Sequence, residues 1–585
     1  MSDRRELSEL RDDAAAWAQE RARATFRDLA GLPAELDEHG PRGAVQRARD
    51  HQLATSRDAL AQVSELLTGA DPEEKPGRVA RLTGLRALLV EAVAEGHEPG
   101  AWDELRGLST RPLVELHGDP GLHGKLAPRA VERALGRERV RGVRADAEEA
   151  LAQALGRFDG LRATVWETAQ AALGELALGE PQEAAARLFA QGWAAPVAKA
   201  PAAPLEEDLA RAAEERAAAE RDRAAGRRPV ARGPQAAPLL PGAPAPLAPL
   251  HSQSLAPRTP THAEQVAEVC EALLAGTDAI ANDLLAWLLE RHTGARRAPG
   301  DAERHDLLHL LEAPRCSPAF PRGELLRTCR RWAEPLALDL HASGRLKLDD
   351  DDRPLKAAGS HAVALDPPSE VRLSLLPDEG PRALGRLLGA LSVGLLRASP
   401  PAEAPAEDFF CGDPAVPVAA ADLLAGLVRD DQFRRRVAKA ELGPDDGRAI
   451  AIALLCDARL AAARALAELE AHREGLGSRA AALHRELHAR AGLSSLPAGL
   501  ALAGLEPLLG GWAQLRGLAF AARARAALRE RHDEDWWRNP RALLPLRSLW
   551  SRGGRPTLRE LWREVAPGEE PSLDALVGEL AESCR

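Results

Sequence analysis

The sequence predicts a mainly α-helical, two-lobed protein with one small β element. Ala, Leu, Arg and Glu dominate long stretches in which apolar residues recur at three- and four-residue spacing, the helical period. Prolines recur every few residues between Pro229 and Pro260 and separate two helical halves. A chain of 585 residues also exceeds what one compact core usually holds, so two or three packed lobes are expected.

Residues 1–195 read as an N-terminal helical lobe. Leu82–Glu95 and Ala145–Leu155 are amphipathic, and Gly31-Leu32-Pro33 and Gly118-Asp119-Pro120 act as breakers. No fixed period recurs, which argues against a solenoid. Residues 196–262 read as an Ala/Pro-rich linker or loop. Its first part, Glu206–Arg223, is a charged helix with few large apolar residues to bury. The proline run follows; proline lacks a backbone donor and disfavours helix in the residue before it. Residues 263–585 return to helix over Glu264–His292, Gly323–Ala333, Pro381–Ala398, Ala419–Leu427, Gly447–Ala471 and Ser478–Ala491. Near residues 357–376 the pattern changes: Ala362–Leu365 and Glu370–Leu375 follow strand-like patterns around Pro367-Pro368, which predicts a small strand pair. Asn539 as N-cap and Pro540 as first helical residue predict a helix directly after Trp536-Trp537.

The net charge of -11, with arginines interleaved among acids, argues against a nucleic-acid partner. The segment Met1–Glu6 lacks the apolar core of a signal peptide, and the run around Leu384–Leu396 is broken by Gly and Arg. A cytoplasmic protein without membrane contact is therefore expected. Cys270, Cys316, Cys329, Cys411, Cys456 and Cys584 show no CxxC spacing and read as free, mostly buried thiols. There is no tyrosine, so no phenol can stabilise an oxyanion.

Several segments carry a resemblance when taken in order. His305-Asp306-Leu307 is followed by Glu312-Ala313-Pro314 and Phe320-Pro321; then come Ser360–Ala364, Glu370–Leu373, Gly412-Asp413-Pro414-Ala415-Val416 and Asp533–Arg541 with its Trp-Trp pair. Together they resemble the M3-like metallopeptidases related to oligoendopeptidase F, over about Glu264–Gly568. The resemblance implies a neurolysin-like architecture, two helical lobes around a deep substrate channel. It also implies an HExxH helix, whose two His bind zinc while the Glu acts as general base, and a further Glu ligand downstream. Laid on this chain, those positions hold Leu388, Gly389, Ser392 and Val418. None is a plausible ligand or base. The expectation is a degenerate member of the family, a bacterial pseudopeptidase without catalytic residues or cofactor, whose cleft binds peptides or a protein partner.

Two alternatives stand beside it. A zinc peptidase with a displaced site would use His305 and His309, whose spacing in His305-Asp306-Leu307-Leu308-His309 resembles HExxH with Asp for Glu. A helical interaction module would recruit partners through the proline segment and N-terminal lobe. Against both, the sequence favours capping or surface roles for His305 and His309, and exposed helix positions for His484 and His488. Asp349–Asp352 lacks EF-hand spacing and reads as a solvated turn. Trp536 and Trp537 read as core anchors before a ligand platform.

Overall fold

A computed structural model describes residues 2–32, 43–68, 76–108, 111–119, 122–176, 178–189, 261–293, 302–353, 356–357, 359–376, 379–405, 407–410 and 412–583. The proline-rich segment and the helix expected at Glu206–Arg223 lie outside these residues, as do Cys411 and Cys584.

The N-terminal part contains α1 (Ser2–Ala30), α2 (Gly43–Asp50), α3 (Arg57–Thr68), α4 (Pro76–His97) and α5 (Pro99–Gly107). An antiparallel hairpin follows, β1 (Val114–Asp119) and β2 (Leu122–Leu126), then α6 (Pro128–Arg137), α7 (Arg141–Gly156), α8 (Asp159–Gly174) and α9 (Pro181–Phe189). The breaker at Gly118-Asp119-Pro120 thus falls at the end of a strand that periodicity did not predict. Each strand is too short for a period to declare itself.

The second part opens with α10 (His262–Thr293), followed by the two-residue strand β3 (Ala302–Glu303), α11 (Arg304–Leu311) and α12 (Arg322–Ala333). Strands β4 (Leu346–Asp349), β5 (Gly359–Asp366) and β6 (Glu370–Leu376) form a sheet of order β4-β6-β5. The pair β4–β6 is parallel and β5–β6 antiparallel, so β5 is an edge strand. The remaining principal helices are α13 (Pro381–Ala398), α14 (Ala415–Ala425), α15 (Pro444–Glu474), α16 (Ser478–Gly492), α17 (Gly510–His532), α18 (Leu543–Arg552), α19 (Leu558–Val565) and α20 (Asp574–Ser583). The two-residue strand β7 (Ser494–Ser495) pairs in parallel with β3.

The mainly helical fold and its small sheet agree with the sequence expectation. Several local expectations change. The helix after the Trp pair begins at Leu543, because Asn539 uses its side-chain oxygen to accept from Arg541 N–H at 3.0 Å in a local turn. The span α10 is long and apolar enough to cross a membrane by length and composition; half of that apolar window is buried inside the fold. In the aspartate run, Asp350–Asp352 are exposed, but Asp349 ion-pairs with Arg353 and with the buried Lys356.

A continuous apolar cluster reaches from Trp17 on α1 through α10, α13, α15 and α17 to Leu580 on α20. Trp536 and Trp537 belong to this core, as expected. Trp332 Nε1 donates to the Trp537 carbonyl at 3.1 Å, and Phe433 meets Trp537 edge-on with centroids 5.3 Å apart. Cys270, Cys316, Cys329 and Cys456 are buried outside any disulfide, and burial pushes the thiol pKa values of Cys316 and Cys329 up to about 11 and about 12. Cys316 and Cys329 are thus held in the unreactive protonated form.

Candidate functional site

A cleft of about 950 Å³ lies between the N-terminal helices α1 and α4 on one side and β5, α13 and α14 on the other. Helix α13 forms much of its floor. Pro381 supplies the fixed first helical position and Gly380, at φ 110°, turns the chain into it. Most of the helix is apolar and buried between the sheet and α14, with Arg382, Arg386, Val393 and Arg397 forming a half-buried stripe along one face.

The face of α13 turned to the cleft carries Gly385, Gly389, Ala390 and Val393, flanked by Arg382, Arg386 and Arg397. Leu388 is fully buried and does not line the cleft. Ser392 is also buried behind it, where its Oγ accepts a hydrogen bond from Trp550 Nε1 at 3.2 Å. On α14, Val418 and Ala421 face the cleft. Of the four positions singled out by resemblance, the structure thus brings Gly389 and Val418 to the cavity and places Leu388 and Ser392 in the core behind it.

Helix packing at these positions is close. A Cβ on Gly389 would lie 3.2 Å from the Ala421 carbonyl oxygen and 3.3 Å from Ala421 Cβ. Val418 packs on Gly517 of α17, where an added Cβ would come within 2.6 Å of Val418 Cβ and Cγ1. Helices α13, α14 and α17 therefore meet through small residues where a metal centre would need room for imidazoles and carboxylates. Neither α13 nor α14 contains His or Cys, and Asp422 is the one acid between them. This donor set does not fit zinc.

The carboxylates that line the cleft are matched to guanidinium groups. Arg516 grips Asp413 with contacts of 2.7 and 2.9 Å, while Asp413 also accepts from the Ala415 and Leu558 N–H groups. Asp422 sits in a four-charge cluster with Arg429, Arg525 and Glu579. Burial pushes the Asp422 carboxyl up, but Arg429 and Arg525 outweigh it and hold it below the usual carboxylate range. Asp457 pairs with Arg382 at 2.9 Å, and Glu91 with Arg21. Gly412-Asp413, one of the motifs that carried the resemblance, is scaffold here. Gly412 has φ 138°, and a Cβ on it would strike the Gly554 carbonyl oxygen at 2.2 Å.

His305 and His309 are buried, which corrects the surface role expected for them. They do not converge on one point. The His305 Nδ1 contacts Glu148 Oε2 at 3.0 Å, whereas His309 Nδ1 bonds the Gly136 carbonyl at 3.1 Å and its ring lies edge-on to His292. Burial, with Arg144 nearby, lowers the His309 pKa to about 4. His484 and His488 are likewise buried rather than exposed. Their Nδ1 atoms bond the carbonyls of Ala501 and Ser494 at 2.5 and 3.1 Å. Glu303 and Glu148, which the sequence reading did not single out, gather around His305.

No family model matches the sequence, and no curated protein sequence matches it. Solved structures do. PZ peptidase A, determined with an inhibitor, aligns at TM-score 0.57 and 12% identity over 96% of this chain and 90% of its own. The M32 carboxypeptidase from Deinococcus radiodurans R1 aligns at TM-score 0.53 and 14% identity over 99% of both chains. A putative oligoendopeptidase F from Bacillus anthracis str. Ames aligns at TM-score 0.50 and 11% identity over 92% of this chain and 85% of its own. At such identities the likeness concerns the backbone, and it establishes that this chain has the fold of the M3- and M32-type metallopeptidases.

Proposed function

We propose that the protein is a pseudopeptidase, a metallopeptidase fold whose cleft binds extended peptides without hydrolysing them. The observation that carries this reading is the contact between Gly389 and Ala421: α13 and α14 close together through small residues where zinc chemistry would need bulky donors. The ion pairing of Asp413, Asp422, Asp457 and Glu91 supports it, since a carboxylate held by guanidinium groups is a poor base for water. The cleft itself is large enough for several residues of a peptide. Ser360–Ala364 of the edge strand β5 line it, and an edge strand offers main-chain groups to an added strand.

The test combines binding and turnover. Labelled unstructured peptides should bind the full chain in fluorescence anisotropy. Val393→Trp, which fills the cleft from a half-buried position, should weaken them at least tenfold with an unchanged melting temperature. No cleavage should appear by mass spectrometry with or without added zinc. Chelator-sensitive cleavage by the wild-type chain would overturn the proposal, and peptide binding indifferent to Val393→Trp would remove the cleft from it.

A further inference from the structure

We propose that Glu303, His305 and Asp306 form a binding site for one divalent transition-metal ion of the zinc class, at the junction of α7 and α11. It goes beyond the peptide-binding reading, and none of its three ligands lines the cleft. One ligand atom from each residue lies within 4.8 Å of the other two.

The decisive group is His305. Its side chain is 1% exposed, and its Nδ1 is engaged by Glu148 Oε2 at 3.0 Å. A carboxylate can only accept, so Nδ1 donates to Glu148 and Nε2 is the ring atom left to face a ligand. That Nε2 is buried and makes no hydrogen bond. It lies 3.5 Å from Glu303 Oε2 and 3.5 Å from Asp306 Oδ1. Two carboxylates converging on one ring nitrogen call for a positive charge there, and a bound metal ion in place of a proton on Nε2 supplies it. Ligand atoms at about 2.0–2.1 Å from a tetrahedral centre are about 3.3–3.4 Å apart, so the two observed separations are close to those of a coordinated set. Glu148 then plays the part of the carboxylate that orients a metal-bound imidazole through its other nitrogen.

A cation already sits at the edge of this position. Arg141 Nη2 bridges Glu303 Oε2 at 3.1 Å and Asp306 Oδ2 at 2.9 Å, and its Nε donates to Asp306 Oδ1 and Oδ2 at 3.1 and 3.0 Å, from a side chain that is 44% exposed. Arg144 holds Asp306 Oδ1 at 2.9 Å from the buried side. A hollow of about 720 Å³, lined by Glu148, Glu303, His305 and Arg485, lies beside this position. The set is one nitrogen and two carboxylate oxygens, which suits zinc and its neighbours better than calcium.

The experiment titrates the chelator-stripped full chain with Zn²⁺ by calorimetry and with Co²⁺ by visible absorption. One equivalent should bind. His305→Ala and the exposed, fold-sparing Glu303→Gln should each weaken it at least tenfold, and Glu148→Gln by roughly 10- to 100-fold. His309→Ala should leave it unchanged. Arg141→Met should tighten binding, because it removes the competing cation; a purely structural ion-pair cluster predicts no such gain. The proposal is overturned if the wild-type chain binds no Zn²⁺ up to on the order of 100 μM. It is equally overturned if binding survives Glu303→Gln and His305→Ala, or if Arg141→Met weakens it.

Discussion

Gly389 and Gly517 show how much a missing side chain can decide. Both sit where α14 approaches a neighbouring helix, and Val418 fills the space that Gly517 leaves. In a free helix, Gly→Ala stabilises by about 1 kcal/mol. At Gly517 the new methyl would meet Val418 at 2.6 Å and the Ala415 carbonyl oxygen at 2.9 Å, and such overpacking costs about 1–3 kcal/mol. Gly517→Ala should therefore destabilise in urea denaturation, and Val418→Ala added to it should recover only a small part of the loss, because it removes the contact with Cγ1 and leaves those with the residue-418 Cβ and the Ala415 carbonyl oxygen. Strict additivity of the two variants would show that they do not share this contact. At Gly389 the 3.2 Å approach is milder, so Gly389→Ala should be close to neutral, whereas Gly389→Glu should cost on the order of 3 kcal/mol and restore no activity. That Leu388, Gly389, Ser392 and Val418 are not zinc ligands is legible in the sequence. Which face of α13 meets the cleft is legible too, because Arg382, Arg386 and Arg397 recur at helical spacing along it, and Gly389 lies on that stripe while Leu388 and Ser392 do not. Buried His484 and His488, by contrast, read like surface residues, because each finds its partner in a backbone carbonyl, which has no sequence signature.

At the scale of elements, long helices were readable and their charge partners were not. Pro381–Ala398 and the start of α16 at Ser478 agree with periodicity, and the strands around Pro367-Pro368 agree with their apolar patterns. The hairpin β1–β2 escaped notice, as did the anchoring of the C-terminal helix α20. That helix carries Glu579, which bonds Arg525 at 2.7 Å and Arg429 at 3.0 Å beside Asp422. Two guanidinium groups and two carboxylates thus cancel across residues far apart in sequence, a balance that local reading cannot anticipate. Burial pushes the Glu579 carboxyl up, but Arg525 and Arg429 prevail and keep it below the usual range, so it is ionised at neutral pH. Glu579→Ala would leave one buried carboxylate against two guanidinium groups. Removing one partner from a buried ion network costs about 3–5 kcal/mol. The variant should lower the denaturation midpoint by that amount and raise amide exchange in α20 ahead of the rest of the molecule. A loss below about 1 kcal/mol would mean the cluster behaves like exposed pairs.

Across the whole molecule the buried titratable groups set a pH profile. Burial lowers the pKa of His472 and His488 to about 4, and burial together with Arg144 does the same for His309. Burial lowers His292 and His484 as well. An unfolded histidine titrates near 6.5, so below that pH the unfolded chain takes up protons that the native state refuses. Their contribution is complete above pH 6.5 and is lost as pH falls toward 4, by on the order of 3 kcal/mol for each strongly shifted ring. Glu468 works in the opposite sense. It is wholly buried on α15, accepts from the N–H groups of Glu506 and Gly511, and burial raises its pKa to about 8. Between the ordinary 4.5 and 8 the native state keeps a proton that the unfolded chain releases, so stability declines as pH rises through that window. From pH 4.5 to 6.5 three strongly shifted histidines outweigh one glutamate and stability climbs; from 6.5 to 8 the glutamate acts with little opposition and stability falls. Unfolding free energies measured by urea titration should therefore peak near pH 6.5. Glu468→Gln should flatten the limb from 6.5 to 8 whatever it does to the absolute stability, because the slope reports only the proton difference between the two states. A profile that keeps rising to pH 8 in the wild-type chain would show that Glu468 is ionised in the native state, held by its two backbone donors against the cost of burial.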